Sequence, residues 1–269
     1  MLESMLSALA HDLPEGLVES LIPLFLLSLG GLWVGAQNAL AGGGSFVTIP
    51  ALMALGLSPL EANVTSTVAL YPGQVISGVL GLRSAEREGA ADDLLSSILI
   101  NLSGGALGGW LLLKTPSPVF REMLPWLVLS ATLIFIWGSF RNKGRGRVPE
   151  ASPPKVLTQS AQFLIAIYGG YFGGGIGFLI LATLSFTQLS QRHASHIKNA
   201  LVAVINTSAV IVLASSTLLI RPHALALGVG AVFGFLAGSH LIGTLKDQYL
   251  RMFVIVIGCL LTAGLFIQA

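Results

Sequence analysis

Ala41-Gly42-Gly43-Gly44-Ser45-Phe46 lies inside the apolar run Leu21–Leu57, and Gly173-Gly174-Gly175-Ile176-Gly177-Phe178 lies inside a second one, Val156–Leu189. Three glycines in succession cost a helix about 1 kcal/mol each relative to alanine. Inside a bilayer the cost rises, because freed N–H and C=O groups find no water there. Non-helical backbone at that depth survives only where protein or a wet cavity covers it. Both stretches therefore read as breaks in membrane helices that line a cavity. Paired breaks in corresponding places of two halves point to a substrate site shared between repeats.

The composition agrees with a membrane setting. Hydrophobic residues make up 54% of the 269-residue chain and charged residues 10%, with a mean hydropathy of +0.82. An ordinary soluble domain is about 25% charged. The length leaves room for about eight membrane-deep segments of ~20 residues. A net charge of +2 is too small to indicate nucleic acid as a partner. The one cysteine, Cys259, rules out an intrachain disulfide framework and reads as a small buried hydrophobe. No cleavable leader is expected, since residues 1–20 carry Glu3, Asp12, Glu15 and Glu19 and no Lys or Arg.

Apolar segments fall at about 21–41, 45–56, 61–82, 94–113, 123–140, 158–175, 176–187, 197–219, 223–244 and 249–267. The longest connection, Arg141–Lys155, holds five basic residues and three prolines. It separates an N-terminal segment (1–20) and a first membrane repeat (21–140) from a second repeat (158–269), with 141–157 as a basic linker. Each repeat opens on a Gly-broken segment and continues with three intact ones. Phe46-Val47-Thr48-Ile49-Pro50 aligns with Phe178-Leu179-Ile180-Leu181-Ala182.

Topology follows from where Lys and Arg fall. If each broken segment simply crosses, the basic residues divide eight against six. If each enters and returns on one side, they divide eleven against three, with only Lys114, Arg121 and Arg221 on the far side. The second division fits the positive-inside rule. It places the acidic N-terminus outside and the 141–155 loop in the cytoplasm. Each half then crosses three times, so the second is inverted relative to the first. The expected fold is an all-α polytopic membrane protein of two inverted repeats, each a re-entrant Gly-broken segment plus three transmembrane helices.

In the helix after the first break, Asn63, Thr67, Tyr71 and Gln74 recur at helical spacing on one face. Such a face is either interhelical glue or a cavity wall. Aligning Ala62 with Ala194 sets Ser66 opposite Lys198 and Thr67 opposite Asn199, with Asn206 two turns beyond Asn199. Lys198 is the most informative charge: it either serves a functional site or snorkels to the interface. Gln37 and Asn38 either reach the same cavity or cap freed backbone. Half-helices starting after Gly44 and Gly177 would aim N–H groups at the cavity and favour an anion. No Asp or Glu lies deep in a segment, so proton or sodium coupling has no direct support there. His240, near a segment end, is the one nameable proton carrier and otherwise an interfacial histidine. No metal or cofactor motif is present, and neither is expected.

Gly42-Gly43-Gly44-Ser45-Phe46-Val47-Thr48-Ile49-Pro50-Ala51-Leu52, then Leu55-Gly56-Leu57-Ser58-Pro59 and Ala62–Ser66, resemble the pattern of the TauE/SafE family of sulfite and organosulfur-anion exporters. Gly173–Phe178 with His193–Asn206 resembles the family's second repeat, so the resemblance covers almost the whole chain. It implies a bacterial inner-membrane permease for small sulfur-containing anions. Carried over by position, it implies binding roles for Gly42, Gly43, Gly44, Ser45, Thr65 and Ser66, and for Gly174, Gly175 and Gly177. Two departures stand out: Ala182 lies opposite Pro50, and Ile197-Lys198 replaces the Thr-Ser pair.

The expected activity is secondary transport, in the export direction, of a small sulfur-containing anion by alternating access. The site would lie between the two breaks, completed by Asn63, Thr67, Tyr71 and Gln74 from one half and Lys198, Asn199 and Asn206 from the other. Its partners would be the anion and the bilayer. An anion channel or a carboxylate transporter would share this architecture. A membrane hydrolase built on Ser45 lacks the Gly-x-Ser-x-Gly spacing such an enzyme uses.

Overall fold

The computed structural model describes residues 15–40, 42–87, 94–141, 154–184, 191–241 and 247–268. Ala41, residues 1–14 of the N-terminal segment and 142–153 of the basic linker lie outside the described residues. The described chain is helical: α1 Glu15–Leu40, α2 Ser45–Ala54, α3 Pro59–Arg87, α4 Leu94–Lys114, α5 Ser117–Arg141, α6 Lys155–Phe172, α7 Ile176–Leu184, α8 Gln191–Leu213, α9 Arg221–His240 and α10 Asp247–Gln268. Five of these, α1, α4, α5, α8 and α9, contain spans long and apolar enough to cross a membrane. Together with many large apolar side chains on the outer surface, such as Leu95, Trp126, Leu164 and Phe233, they make the chain a polytopic membrane protein.

The glycines decide where α1 and α6 stop. Gly42 and Gly43 take φ of 90° and 76°, and Gly173 and Gly175 take 71° and 75°. L-residues avoid that region of backbone space and glycine does not. Short helices, α2 and α7, follow. A capping box then starts α3: Ser58 N–H and Oγ–H donate to Glu61 Oε2 at 2.9 and 2.7 Å, and Glu61 N–H donates back to Ser58 Oγ at 3.4 Å.

Small residues set how the helices pack. A β-carbon on Gly230, Gly234 or Gly238 would enter the backbone of Ser28, Leu32 or Ala36. The numbering rises together on both sides, so α1 and α9 run parallel in close contact. The same holds for α4 and α6, where Gly104 meets Phe163 and Ala166 while Gly108 meets Ile167 and Tyr171. Gly105 and Gly109 meet Ile205 and Ala209, which makes α4 parallel to α8. Gly228 meets Ala69 and Gly73 meets Phe235, which makes α3 parallel to α9. By contrast α3 and α8 are antiparallel: Tyr71 pairs with Thr207, while Gly78 and Gly81 meet Ala203 and His196. Tyr168 bonds Leu127 O while Tyr171 reaches Met123 and Thr115, so α5 opposes α6. Thr132 meets Gly258 while Trp126 meets Phe266 edge to face, so α10 opposes α5. Thus α1, α3, α5 and α9 point one way and α4, α6, α8 and α10 the other.

The packing partners are exchanged when the halves are exchanged. α1 lies on α9 and α6 on α4; α9 lies on α3 and α4 on α8; α7 touches α5 and α2 touches α10; α3 with α8 and α5 with α10 are self-paired. Two expectations need correction. Cys259 is exposed on the outer face of α10, because the small residue turned inward there is Gly258 against Thr132. Lys198 is only 1% exposed, so it does not snorkel and drops out of the interfacial charge count.

Candidate functional site

A helix that stops inside a membrane leaves carbonyls without partners. At the end of α1, Lys198 Nζ donates to the carbonyl oxygens of Asn38 and Ala39 at 3.2 and 3.1 Å, and Asn199 Nδ2 donates to Ala39 O at 3.2 Å. An ammonium at a helix C-terminus also meets the negative end of the helix dipole. At the end of α6, Asn63 Nδ2 donates to Tyr171 O at 3.0 Å. Ala39 and Tyr171 are 132 residues apart, as are Thr67 and Asn199. Each broken helix is therefore capped by a side chain from the helix that follows the other break. Inside the first break, Gln37 Nε2 donates to Gly42 O and Gly44 N–H donates to Asn38 Oδ1.

The two breaks touch. A β-carbon on Gly42 would stand 3.3 Å from Gly177 Cα, and one on Gly177 would stand 3.1 Å from Lys198 Cδ. One on Gly43 would stand 2.5 Å from Phe178 Cζ, and one on Gly173 would stand 3.2 Å from Thr67 Oγ1 and 3.9 Å from Ser45 Oγ. Gly44 packs on Val34 and Asn38, Gly174 on Phe172 and Phe46, and Gly175 on Ala131 and Phe46. Within α2, Phe46, Val47 and Thr48 N–H groups turn back to the Gly43 and Gly44 carbonyls. That leaves Ser45 N–H without a partner among the described residues. In α7, Phe178 and Leu179 N–H groups both turn to Gly175 O. Aromatic rings close the junction: Phe46 lies 6.3 Å from Phe172 and 6.2 Å from Phe178, and Phe178 lies 4.0 Å from Phe135.

The polar face of α3 is turned to the second half along its whole length. Below Asn63 and Thr67, Tyr71 OH donates to Thr207 Oγ1 at 3.1 Å, and Asn206 Nδ2 donates to Gln74 Oε1 at 2.7 Å. Gln74 and Asn206 are also 132 apart, so this bond joins equivalent positions of the two halves. Ser66 bonds Thr48 on α2, while Thr65 Oγ1 accepts Ile220 N–H at the start of α9. Thr65 thus serves a loop away from the breaks. His240 is exposed at the end of α9, its Nδ1 2.8 Å from Leu236 O of its own helix. A separate cavity of 640 Å³ lies where α2 ends, bordered by Met53, Ser58, Glu61, Arg121 and Leu261.

Sequence reasoning missed two parts of this junction. Gly173, the left-handed C-cap of α6, was read as part of the break but not given a binding role beside Gly174 and Gly175. The phenylalanine cluster was legible only as Phe46 aligned with Phe178, since Phe135 and Phe172 come from other segments. Gln37 and Asn38 cap the freed backbone, one of the two roles open to them.

Residues 8–265 match the family described as sulfite exporter TauE/SafE. The "Probable membrane transporter protein YfcA" of Escherichia coli K12 is 25% identical over 258 residues, covering 92% of this chain and 94% of that protein. The "Probable membrane transporter protein ORF9" of a Sinorhizobium species is 30% identical over 168 residues, 62% of each chain. A "Probable membrane transporter protein" of Haemophilus influenzae is 24% identical over 241 residues, 89% of this chain and 93% of that one. No solved structure matches. With a family match along nearly its whole length, in a bundle of membrane-crossing helices, the chain belongs to the sulfite exporter TauE/SafE family of membrane transporters.

Proposed function

We propose that this protein is a secondary transporter, working as an exporter, for a small sulfur-containing anion such as sulfite or an organosulfonate. The observation that carries this reading is the meeting of the two breaks at Gly42 and Gly177. It brings the N-terminal ends of α2 and α7 to one point between the halves. Helix N-termini offer N–H donors and the positive end of a dipole, which suit an anion. Ser45 supplies a hydroxyl and an N–H that has no partner among the described residues, and the phenylalanine rings make the junction apolar. Of the other candidates, Lys198, Asn199, Asn63, Tyr71, Gln74 and Asn206 spend donors or acceptors on protein groups. In this reading they frame the site and the glycines with Ser45 touch the anion.

The architecture in this proposal is two inverted repeats. α1 and α3 point the same way, so the chain between them must double back; α6 and α8 require the same of the second half. This supports the re-entrant reading of both Gly-broken segments. On that reading residues 83–87, 141, 155 and the start of α8 would lie on the basic side and Lys114, Arg121 and Arg221 on the other, ten interfacial basic residues against three once buried Lys198 is set aside. By the positive-inside rule the basic side is the cytoplasmic face of the inner membrane. Cysteines at Ser58 and Ser117 should then react with an impermeant maleimide from outside, and one at Arg145 only from inside. Labelling of Ser58→Cys from the cytoplasm would overturn the topology.

Substrate identity is tested by thermal unfolding of the detergent-purified protein against sulfite, thiosulfate, sulfate, sulfoacetate, taurine, acetate and chloride. A ligand that binds the folded state alone at 100 times its Kd stabilises it by about 2.7 kcal/mol. That is a rise of roughly 5–10 °C at this size. The expected result is a selective rise with a sulfur oxyanion or sulfonate. A selective rise with acetate would keep the architecture and reject the sulfur assignment.

A further inference from the structure

The two broken helices end differently, and the difference marks a second ligand. At the end of α1 a cation is built in: the Lys198 ammonium rests on two terminal carbonyls, its stem packed on Gly177. At the end of α6 the equivalent positions are Ser66 in place of Lys198 and Ser45 in place of Gly177. The lysine is replaced by a short side chain that turns aside to Thr48, and the glycine by a hydroxyl. Oxygen atoms collect beside Gly173, the left-handed C-cap of α6. The point where a β-carbon on Gly173 would stand is 3.2 Å from Thr67 Oγ1, 3.7 Å from the Gly169 carbonyl oxygen and 3.9 Å from Ser45 Oγ.

Asn63 supplies an independent observation. Its side chain is 1% exposed, its Nδ2 sits on Tyr171 O at the end of α6, and its Oδ1 has no hydrogen-bond partner. A buried acceptor without a donor is costly. A carbonyl oxygen keeps a second lone pair after accepting one bond, so Tyr171 O can still face a positive charge. The end of α6 thus joins a negative dipole end to hydroxyl and carbonyl oxygens, of which Asn63 Oδ1 has no donor.

We infer that the C-terminal end of α6 binds a monovalent alkali cation, sodium by preference, through Thr67 Oγ1, Ser45 Oγ, Asn63 Oδ1 and the last carbonyls of α6. Hard cations take oxygen ligands, and divalent ones ordinarily require carboxylates; no group of three or more His, Cys, Asp or Glu that could hold a metal occurs among the described residues. Half-helix C-termini are where membrane transporters hold sodium. Lys198 Nζ sits on the end of α1 as the bound ion would sit on the end of α6. Ser45 faces both junctions, so the ion and the anion neighbour each other and the anion would bind more tightly with sodium present. The inference rests on the transporter reading but not on which anion is carried.

The test compares thermal unfolding of the full-length protein in the chlorides of sodium, potassium and N-methyl-D-glucamine at equal ionic strength. Sodium should raise the Tm selectively. Thr67→Val should raise the half-saturating sodium concentration by about tenfold or more, the usual scale for losing one oriented ligand. A double variant, Ser66→Lys with Ser45→Gly, copies the α1 end; it should fold without sodium and lose the sodium response. Equal Tm in all three salts, or a full sodium response in the double variant, would overturn the site. The anion panel run in both sodium and N-methyl-D-glucamine salts separates the two proposals. Anion shifts with no sodium effect reject the cation site alone, whereas a sodium shift with no anion effect rejects the sulfur-anion reading alone.

Discussion

Lys198→Met should unfold about 8 °C below the wild type, with anion binding abolished. The substitution keeps an apolar stem against Gly177 and deletes the ammonium, so the Asn38 carbonyl loses its donor from Lys198 and Ala39 O keeps only Asn199. A lost charge-assisted hydrogen bond and a buried acceptor left open cost about 3 kcal/mol together, which is roughly 6–12 °C for a chain of this size. Anion binding fails because the end of α1 positions Gly42, and Gly42 touches Gly177. Lys198→Arg retains the charge but carries a larger planar head where Gly177 leaves little room, so it should keep part of the stability and part of the binding. Thermal unfolding with and without the stabilising anion measures both. A Tm within about 2 °C of wild type for Lys198→Met would remove the ammonium from the capping role.

Gly43→Val should abolish transport while the protein still reaches the membrane. Gly43 takes φ of 76°, and a β-carbon there meets Phe178 Cζ at 2.5 Å. Phe178 cannot yield freely, because its ring lies 4.0 Å from Phe135 and 6.2 Å from Phe46. The backbone at the break must move instead, and the anion contacts move with it. Gly56 provides the control. Its φ is 93°, yet nothing lies within 4 Å of a β-carbon there. Gly56→Ala should cost only the left-handed backbone penalty of about 1–2 kcal/mol and leave flux intact. Gly43→Ala pays the same penalty and also the collision, so its flux should fall by roughly a hundredfold, the scale of a misplacement of about 1 Å. Equal flux in the two alanine variants, measured in proteoliposomes, would contradict the close approach.

Position in the chain accounts for which parts of the site were readable in advance. The ends of α1 and α6 were legible because consecutive glycines weaken a helix wherever they fall, and both glycine runs lie inside long apolar stretches. The polar face of α3 was legible because Asn63, Thr67, Tyr71 and Gln74 follow helical spacing. Their partners were not, since Tyr171, Thr207 and Asn206 lie more than a hundred residues away. For Lys198 the sequence left two roles open, a substrate site or the membrane interface. The fold gives it a third, on the carbonyls that end α1.

The chain's membrane character, its glycine runs and the polar face of α3 were determined by the sequence, because composition and helical spacing act locally. Tertiary structure decided what those features do. It brought Gly42 to Gly177, set Asn63 and Asn199 each on the broken helix of the other half, and placed an ammonium at one helix end where the other offers oxygens. Those outcomes depend on how α3 and α8 cross and on how closely glycine lets backbones approach, and neither is encoded within one segment.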